Sequence, residues 1–221
     1  MSHKVEILNK EWLNYNVMRL EVERPAGFDY EAGMAIEATL DETGFEDKWS
    51  PFTMTSLPTQ NELEFTIKVY PEHEGLTLAL SKLNEGESYL ISDPFETFKN
   101  KGPAVFIAGG TGVTPFIALL RQLEVDDQID GSRLFFANLR EKDIFMADEF
   151  TRMLGKNFLN VLEKEDKKPY LHGLIDKAFL KKHIENFDQP FYLCGPPGFS
   201  EDIGEYLKEL GAGDDLVNVS W

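Results

Sequence analysis

The sequence predicts two domains, an antiparallel β-barrel over residues 1–100 followed by a doubly wound parallel α/β sheet over residues 101–221. Three observations predict this fold class. The first domain contains short alternating or aromatic-rich segments separated by turn residues, which is typical of barrel strands. From Pro103 onward, apolar strand-like segments alternate with helix-like ones, as in a doubly wound sheet. The length of 221 residues also suits two domains that each bury a core.

The first domain is predicted to contain one short helix among its strands. The strands are expected at residues 4–8, 15–22, 35–40, 52–56, 63–70 and 88–92. The helix is expected at residues 77–83, with Thr77 as its N-cap and Gly75 freeing the backbone before it. The amides of this helix start could hold a phosphate group. A capping threonine without any ligand is the alternative.

The second domain is predicted to alternate strands with helices. The strands are expected at residues 104–108, 132–138, 158–163, 189–194 and 215–219, and the helices at residues 115–124, 145–154, 176–185 and 199–210. The run 104–108 is continuously apolar, as a parallel strand covered on both faces requires. The mixed charge run 163–168 is predicted to be a solvated loop.

Residues 107–116 combine a strand end, a glycine turn and a helix start. Gly109, Gly110 and Gly112 permit a sharp turn and a close approach to a ligand. Pro115 is expected at the first helical position. The N–H of that position makes no hydrogen bond within the helix, so a proline there costs none. The free amides of such a helix start favour an anion, so a phosphate site is predicted. A tight strand-to-helix turn without a ligand is the alternative.

Residues 191–198 repeat this pattern, because an apolar strand again breaks into a Gly/Pro turn before a helix. Ligands of open α/β sheets bind outside the carboxyl ends of the strands. Both motifs are therefore predicted to lie side by side and to face one crevice. Cys194 would line that crevice, or it would be a small buried residue at a strand end.

Through these two motifs the chain resembles the ferredoxin-NADP reductase superfamily, in which a flavin-binding barrel precedes a nicotinamide-dinucleotide domain. Residues 110–115 are similar to the family's pyrophosphate motif, and residues 194–197 to its nicotinamide-side motif. Residues 50–56 stand where the family has an Arg-x-aromatic-Ser/Thr flavin motif, and Ser50 replaces the arginine. The interdomain hinge is expected at residues 93–102.

The resemblance implies an NAD(P)H-dependent flavoprotein oxidoreductase. Hydride would pass from NADPH or NADH to bound FAD, with FMN as the less favoured flavin, and electrons would pass on to a small carrier protein such as flavodoxin or ferredoxin. Two alternatives stay open: an NAD(P)H:flavin or ferric-chelate reductase that releases reduced flavin, and a degenerate flavin- or nucleotide-binding module without turnover.

The resemblance also implies two sets of ligand-binding residues. Phe52 would stack on one flavin face and Thr53 would lie near flavin N5, while Trp221 would cover the other face. The implied flavin residues are Phe52, Thr53, Lys68, Val69, Gly75, Leu76, Thr77 and Trp221. The implied dinucleotide residues are Gly110, Thr111, Gly112, Thr114, Arg140, Cys194, Gly195 and Pro196. The implied catalytic residues are Thr53, Cys194 and Trp221.

The choice between NADPH and NADH is expected to depend on residues 137–144. Arg140 or Lys142 could pair with a 2′-phosphate, whereas Glu141 would oppose it. This balance leans towards NADPH and leaves NADH open. The alternative is a charged loop in which Asp143 caps the next helix.

Composition excludes several classes of function. A net charge of −17 argues against nucleic acid and anionic membranes as partners, because both require neutralising Lys and Arg. The single cysteine can neither form an internal disulfide nor ligate a plant-type iron–sulfur cluster. The four histidines lack metal-ligand spacing, so no metal is expected. The absence of a signal-peptide core at the start and of a long apolar run leads us to expect a cytoplasmic protein.

Overall fold

The computed structural model describes residues 1–45 and 47–220, and the chain divides into two compact units. One unit comprises Met1–Asn100 together with Ile117–Leu119. The other comprises Lys101–Phe116 together with the chain from Leu120 onward.

The first unit is built on an antiparallel six-stranded sheet. Its strands are β1 Ser2–Trp12, β2 Val17–Glu23, β3 Ala35–Thr39, β4 Ser50–Thr53, β5 Glu62–Lys68 and β6 Ser88–Ser92. The strand order is β4-β3-β6-β1-β2-β5, so β4 and β5 lie at its two ends. A bridge between Met54 and Phe65 brings these two ends together. The sheet is therefore a nearly closed barrel.

The barrel core follows the two-residue period of its strands. Along β2, Met18 and Leu20 are fully buried, whereas Arg19 between them is half-buried. One helix, α1 Leu76–Lys82, packs against this core through Leu76 and Leu80. The Lys10 ammonium donates to the Ser81 carbonyl at 3.1 Å and also to the Leu83 carbonyl, which fastens the C-terminal end of α1 to β1.

The second unit is a parallel six-stranded sheet in the order β10-β9-β8-β7-β11-β12. Its strands are β7 Val105–Gly109, β8 Arg133–Asn138, β9 Phe158–Leu162, β10 Leu171–His172, β11 Phe191–Cys194 and β12 Val217–Ser220. Its helices are α2 Thr114–Val125, α3 Ala147–Leu154, α4 Lys177–His183 and α5 Pro197–Glu209. The predicted fold class is confirmed. No strand was predicted at β10, because two residues leave no periodic signal.

Strand β7 lies inside this sheet and is buried along its whole length. On one face, Phe106 stacks on Tyr192 with the ring centroids 5.0 Å apart. On the other face, Val105 and Ile107 share a cluster with Leu180 of α4 and Ile203 of α5. Burial on both faces explains why this segment reads as continuously apolar. In the part of the chain that the structure describes, no helix has the length and apolar character needed to cross a membrane.

Candidate functional site

The carboxyl ends of β7 and β11 lie side by side in the second unit. The two strands are parallel neighbours, and Ala108 pairs with Cys194 at their ends. The structure thus brings the two sequence motifs together at one edge of the sheet. Loops at this edge are where open α/β sheets bind their ligands.

The two motif loops touch backbone to backbone. A β-carbon added to Gly112 would lie 2.2 Å from the carbonyl oxygen of Cys194 and 2.6 Å from the nitrogen of Gly195. One added to Gly195 would lie 2.6 Å from Cδ1 of Phe199 and 3.2 Å from Cα of Gly109. At Gly112 the neighbours are backbone atoms, so no side chain fits and glycine is required by close approach, whereas at Gly195 the Phe199 ring would have to shift.

The loop after β7 forms a 3-10 turn, Gly110–Val113, before α2 begins at Thr114. Pro115 therefore occupies the second position of α2, and the prediction that it comes first was wrong by this one residue. The Thr114 hydroxyl donates to the Thr111 carbonyl at 2.9 Å. The first amides of a helical segment have no partner within it, and Gly109 supplies no capping side chain. This turn is suited to an anion such as a pyrophosphate.

Cys194 ends β11 with its side chain buried. Burial raises the pKa of this thiol to about 11, so it is protonated at neutral pH and is a poor nucleophile. Pro196 then occupies the N-cap position of α5, which begins two residues earlier than predicted. Strand β12 pairs with β11 so that Ser220 lies opposite Cys194. Trp221, expected to stack on the flavin, lies outside the described residues.

The loop after β8 contains Arg140, which has an exposed side chain. Its backbone N–H donates to Oδ2 of Asp143 at 3.0 Å, across a 3-10 turn formed by Glu141–Asp143. Asp143 therefore caps this turn. The alternative in which Asp143 caps the next helix was wrong, because Met146 occupies the N-cap position of α3.

The charge run after β9 folds back onto this loop. The N–H of Glu163 donates to the Asn138 carbonyl at 3.0 Å, and that of Lys164 donates to the Leu139 carbonyl at 2.9 Å. Residues 163–168 are mostly exposed and lie outside helices and strands, so the predicted solvated loop is confirmed, but these backbone contacts were not predicted. Charge patterning alone gave no signal for them, because the partners lie about 25 residues apart in the sequence.

Glu141 is the centre of this contact. Its carboxylate forms an ion pair with Lys167 and accepts from the Tyr170 hydroxyl at 3.3 Å. Hydrogen bonding from Lys167 lowers the pKa of Glu141, and the same contact raises the pKa of Lys167. The negative charge that was expected to oppose a 2′-phosphate is therefore partly compensated. Lys167 and Tyr170 were missed as residues of this neighbourhood.

In the barrel, β4 carries the flavin-motif residues. Phe52 pairs with Ile36 and Thr53 with Ala35 on the neighbouring strand. Both Phe52 and Thr53 are half-buried, and the Phe52 ring packs against the core on one side. The exposed part of this ring remains accessible to a flat ligand. Ser50, at the start of β4, carries no charge that could replace the family's arginine.

The end of β5 contributes Lys68 and Val69. The Val69 side chain is 2% exposed and lies in the core, and its N–H donates to the Asn16 carbonyl at 2.7 Å. The N–H of Val69 is therefore not available to a ligand. The Lys68 ammonium lies 5.4 Å from the centroid of the Tyr70 ring.

Helix α1 begins one residue earlier than predicted. Gly75 is its N-cap, and Thr77 is the second helical residue, so the prediction that Thr77 caps the helix was wrong. The extended backbone of Gly75 turns the chain before the threonine is reached. The Gly75 N–H donates to the His73 carbonyl at 2.8 Å, which leaves the amides of Leu76 and Thr77 to face an anion.

Both sets of residues fit the groups that the resemblance implies. A half-buried aromatic ring and an uncapped helix start within the same unit suit a flavin with a phosphate chain. A glycine cradle formed by two touching loops suits a dinucleotide. Among residues 1–45 and 47–220, no group of three or more His, Cys, Asp and Glu side chains is placed to hold a metal ion.

Comparisons with known proteins agree with a flavin-binding domain followed by a dinucleotide-binding domain. The family model described as "FAD-binding domain" matches residues 2–114, and the one described as "Oxidoreductase NAD-binding domain" matches residues 106–205. The reductase component of propane 2-monooxygenase from Rhodococcus jostii is 24% identical over 97% of this chain and 60% of its own length. NADH-cytochrome b5 reductase 2 of Candida albicans is 31% identical over 69% of this chain and 56% of its own length. The chain thus spans little more than half the length of these curated relatives.

Solved structures share the fold over nearly the whole chain. A ferredoxin NADP+ reductase from Neisseria gonorrhoeae with bound FAD and NADP superposes with a TM-score of 0.85 at 17% identity, covering 99% of this chain and 98% of that one. The FAD/NAD-binding domain of a nitric oxide dioxygenase from Vibrio cholerae gives a TM-score of 0.86 at 20% identity, covering 98% of this chain and 97% of that one.

Proposed function

We propose that this chain, which belongs to the ferredoxin-NADP reductase superfamily of flavoprotein oxidoreductases, transfers hydride from NADPH or NADH to bound FAD and passes the electrons on to a separate carrier. The observation that carries this proposal is the contact between the two motif loops. Gly112 lies against the backbone of Cys194 and Gly195, so the loops form one cradle at the carboxyl edge of the sheet. Such a cradle can hold the two halves of a single dinucleotide.

Different loop residues would bind different parts of the dinucleotide. The amides of Gly110, Thr111 and Gly112 would bind its pyrophosphate, because amides at a helix start favour an anion. Arg140, with its exposed guanidinium, would bind a 2′-phosphate where one is present. Thr114 would steady the turn through its hydroxyl, which donates to Thr111.

Cys194, Gly195 and Pro196 would form the nicotinamide side of the cradle. Because burial raises the pKa of the Cys194 thiol to about 11, the sulfur presents a neutral surface and neither attacks nor deprotonates the ligand. We propose that it excludes water and sets the position of the nicotinamide ring.

The barrel residues would hold the flavin. Bound FAD supplies the redox chemistry that no side chain of this chain can provide. Phe52 would stack on its ring system and Thr53 would offer a hydroxyl, while Lys68 and Val69 would border the ring at the end of β5. The turn at Gly75 presents the amides of Leu76 and Thr77 to the phosphates.

The electron acceptor is proposed from the relatives and from charge. A relative from Pseudomonas putida is named as the ferredoxin–NAD(P)+ reductase component of a naphthalene dioxygenase system. An electron-carrier protein is therefore the proposed partner. With a net charge of −17, a basic docking face for an acidic carrier such as flavodoxin or ferredoxin would have to be a local patch on this chain. The single cysteine is consistent with a reducing compartment, and we propose the cytoplasm.

A second candidate is an NAD(P)H:flavin or ferric-chelate reductase that releases reduced flavin. Two observations favour it. Ser50 supplies no charge to hold the flavin phosphates, and the Gly75 amide is already occupied by the His73 carbonyl. Both features weaken retention of the flavin.

Anaerobic reduction of the FAD-loaded protein tests the proposal. We expect the flavin absorbance to bleach when NADPH or NADH is added, and we expect FAD to remain bound through gel filtration. Bleaching accompanied by loss of flavin on the column would favour the second candidate. Bound FAD that neither nucleotide reduces would contradict both and would support a binding module without turnover.

A further inference from the structure

A buried polar cluster lies next to the flavin-motif strand of the barrel. Glu64 of β5 is 9% exposed, while Thr55 and Ser56 are 0% and 1% exposed. A carboxylate is seldom buried to this degree unless its oxygens are bound. The partners of Glu64 therefore indicate what this carboxylate does.

Glu64 holds the dipeptide Thr55-Ser56 through three hydrogen bonds. The Thr55 N–H donates to the Glu64 carbonyl at 2.7 Å. The Thr55 hydroxyl donates to Oε1 of Glu64 at 2.6 Å. The Glu64 N–H donates to Oγ of Ser56 at 2.9 Å. Both the backbone and the side chain of one residue thus hold the same short segment.

These bonds lie at the seam of the barrel, which we define as the contact of residues 54–56 with residues 64–66. Strands β4 and β5 are the two ends of the sheet, and at the seam the ladder is reduced to the bridge between Met54 and Phe65. A closed barrel normally has continuous strand pairing at every position. Side-chain bonds from Glu64 reinforce the seam where the backbone pairing is short.

The opposite side of the carboxylate faces the guanidinium of Arg19. Nε of Arg19 lies 3.9 Å from Oε2 of Glu64. This nitrogen is buried and has no hydrogen-bond partner among the described residues. The Thr66 hydroxyl also lies 3.5 Å from that of Thr55. Arg19 therefore supplies a positive charge near Oε2 of Glu64, while Oε1 accepts from the Thr55 hydroxyl.

We propose that Glu64 is a positioning residue, which fixes Phe52 and Thr53 through Thr55 at the surface where they meet FAD. This inference rests on the proposed function. Thr53 is two residues from the Thr55 hydroxyl, so a shift of the seam moves the strand end that carries the ring and the hydroxyl. Residues that bind a rigid ligand need supporting contacts to hold them within fractions of an ångström.

Two pairs of variants test this role. Thr55→Val removes the hydroxyl at nearly constant shape, and Thr55→Ser restores it. Glu64→Ala removes the acceptor, and Glu64→Gln restores an acceptor without the charge. In the protein without flavin, we expect residues 50–57 to exchange amide hydrogens about tenfold faster in the Val and Ala variants, and we expect FAD to bind about tenfold more weakly, which corresponds to loss of one hydrogen bond to a charged group. The Ser and Gln variants should recover most of both effects.

Two control variants separate positioning from general stability. Glu62→Ala removes an exposed carboxylate from the same strand and the same face, and it should change neither exchange nor FAD affinity. Val5→Ala destabilises the barrel core from β1, where Val5 is fully buried. It should lower the melting temperature while leaving residues 50–57 no faster than the rest of the barrel.

Each outcome bears on one of the two proposals. If wild-type protein binds no FAD, the proposed function is contradicted. If Thr55→Val and Glu64→Ala leave exchange at residues 50–57 unchanged, or speed exchange without weakening FAD, the positioning role is overturned. The positioning role is also overturned if Val5→Ala weakens FAD binding as much as Thr55→Val and Glu64→Ala do at an equal loss of stability.

Discussion

Replacing Gly112 with alanine should separate the two loops that form the dinucleotide cradle. The added β-carbon would lie 2.2 Å from the Cys194 carbonyl oxygen. Backbone atoms surround this position, so no flexible side chain can move aside. The loops would have to part by roughly 1 Å to reach an ordinary contact distance, and such overpacking costs about 1 to 3 kcal/mol.

The functional effect should be comparable in free energy, because a hundredfold change in rate corresponds to about 2.7 kcal/mol. A displacement of about 1 Å at a reacting centre can lower a rate by about a hundredfold. We therefore expect Gly112→Ala to lower kcat/KM for anaerobic flavin reduction by NADPH or NADH by about a hundredfold. The FAD content should stay at the wild-type level, because the proposed flavin residues all belong to the barrel or to the C-terminal tail. Stopped-flow absorbance of the FAD-loaded protein measures this rate.

Gly204→Ala is the matched control. Its added β-carbon would lie 3.7 Å from Cδ1 of Leu193, which is an ordinary contact, and alanine is the better residue inside helix α5. This variant should reduce flavin at the wild-type rate and melt no lower than wild type. Wild-type kcat/KM in Gly112→Ala would refute the reasoning, because the two loops would then accommodate a β-carbon for which the structure shows no space.

Three further predictions concern other parts of the molecule. Cys194→Ala should slow anaerobic flavin reduction while leaving FAD content and melting temperature nearly unchanged; an unaltered rate would make the sulfur a packing atom only. Arg24→Met should lower the free energy of unfolding by about 2 to 4 kcal/mol, because the guanidinium donates to the carbonyls of Phe28, Pro58 and Gln60. Urea unfolding measures this free energy. A loss under about 0.5 kcal/mol would show that water replaces these hydrogen bonds. Burial, followed by the charges of neighbouring cations, lowers the pKa of His183 below its usual 6.5. The folded state therefore binds this proton less readily than the unfolded state, so stability falls as the pH drops through about 6.5. His183→Gln should reduce the pH dependence of the urea unfolding midpoint between about pH 7.5 and 5.5, and an unchanged dependence would contradict this assignment.

The sequence by itself determined most of the fold, because the strong signals are local. Continuous apolar character placed β7, and the glycines after it placed the loop that follows. Alternation placed the strands of the barrel, since a half-buried strand buries every second residue. The same glycine and proline turns located both motif loops. Each of these signals lies within about ten neighbouring residues.

The tertiary structure decided the contacts between segments that are distant in the chain. Gly112 is required because the backbone of Cys194 approaches it, and nothing near Gly112 in the sequence records that approach. From the sequence alone, Glu64 would be taken for an outward-facing strand residue. The tertiary structure buries it, because Thr55 covers it across the barrel seam. Glu141 likewise would be taken for an exposed charge from the sequence alone, whereas in the structure Lys167 and Tyr170 contact its carboxylate. Propensity and periodicity describe how one segment arranges itself, whereas a contact between two segments depends on how both are placed in space.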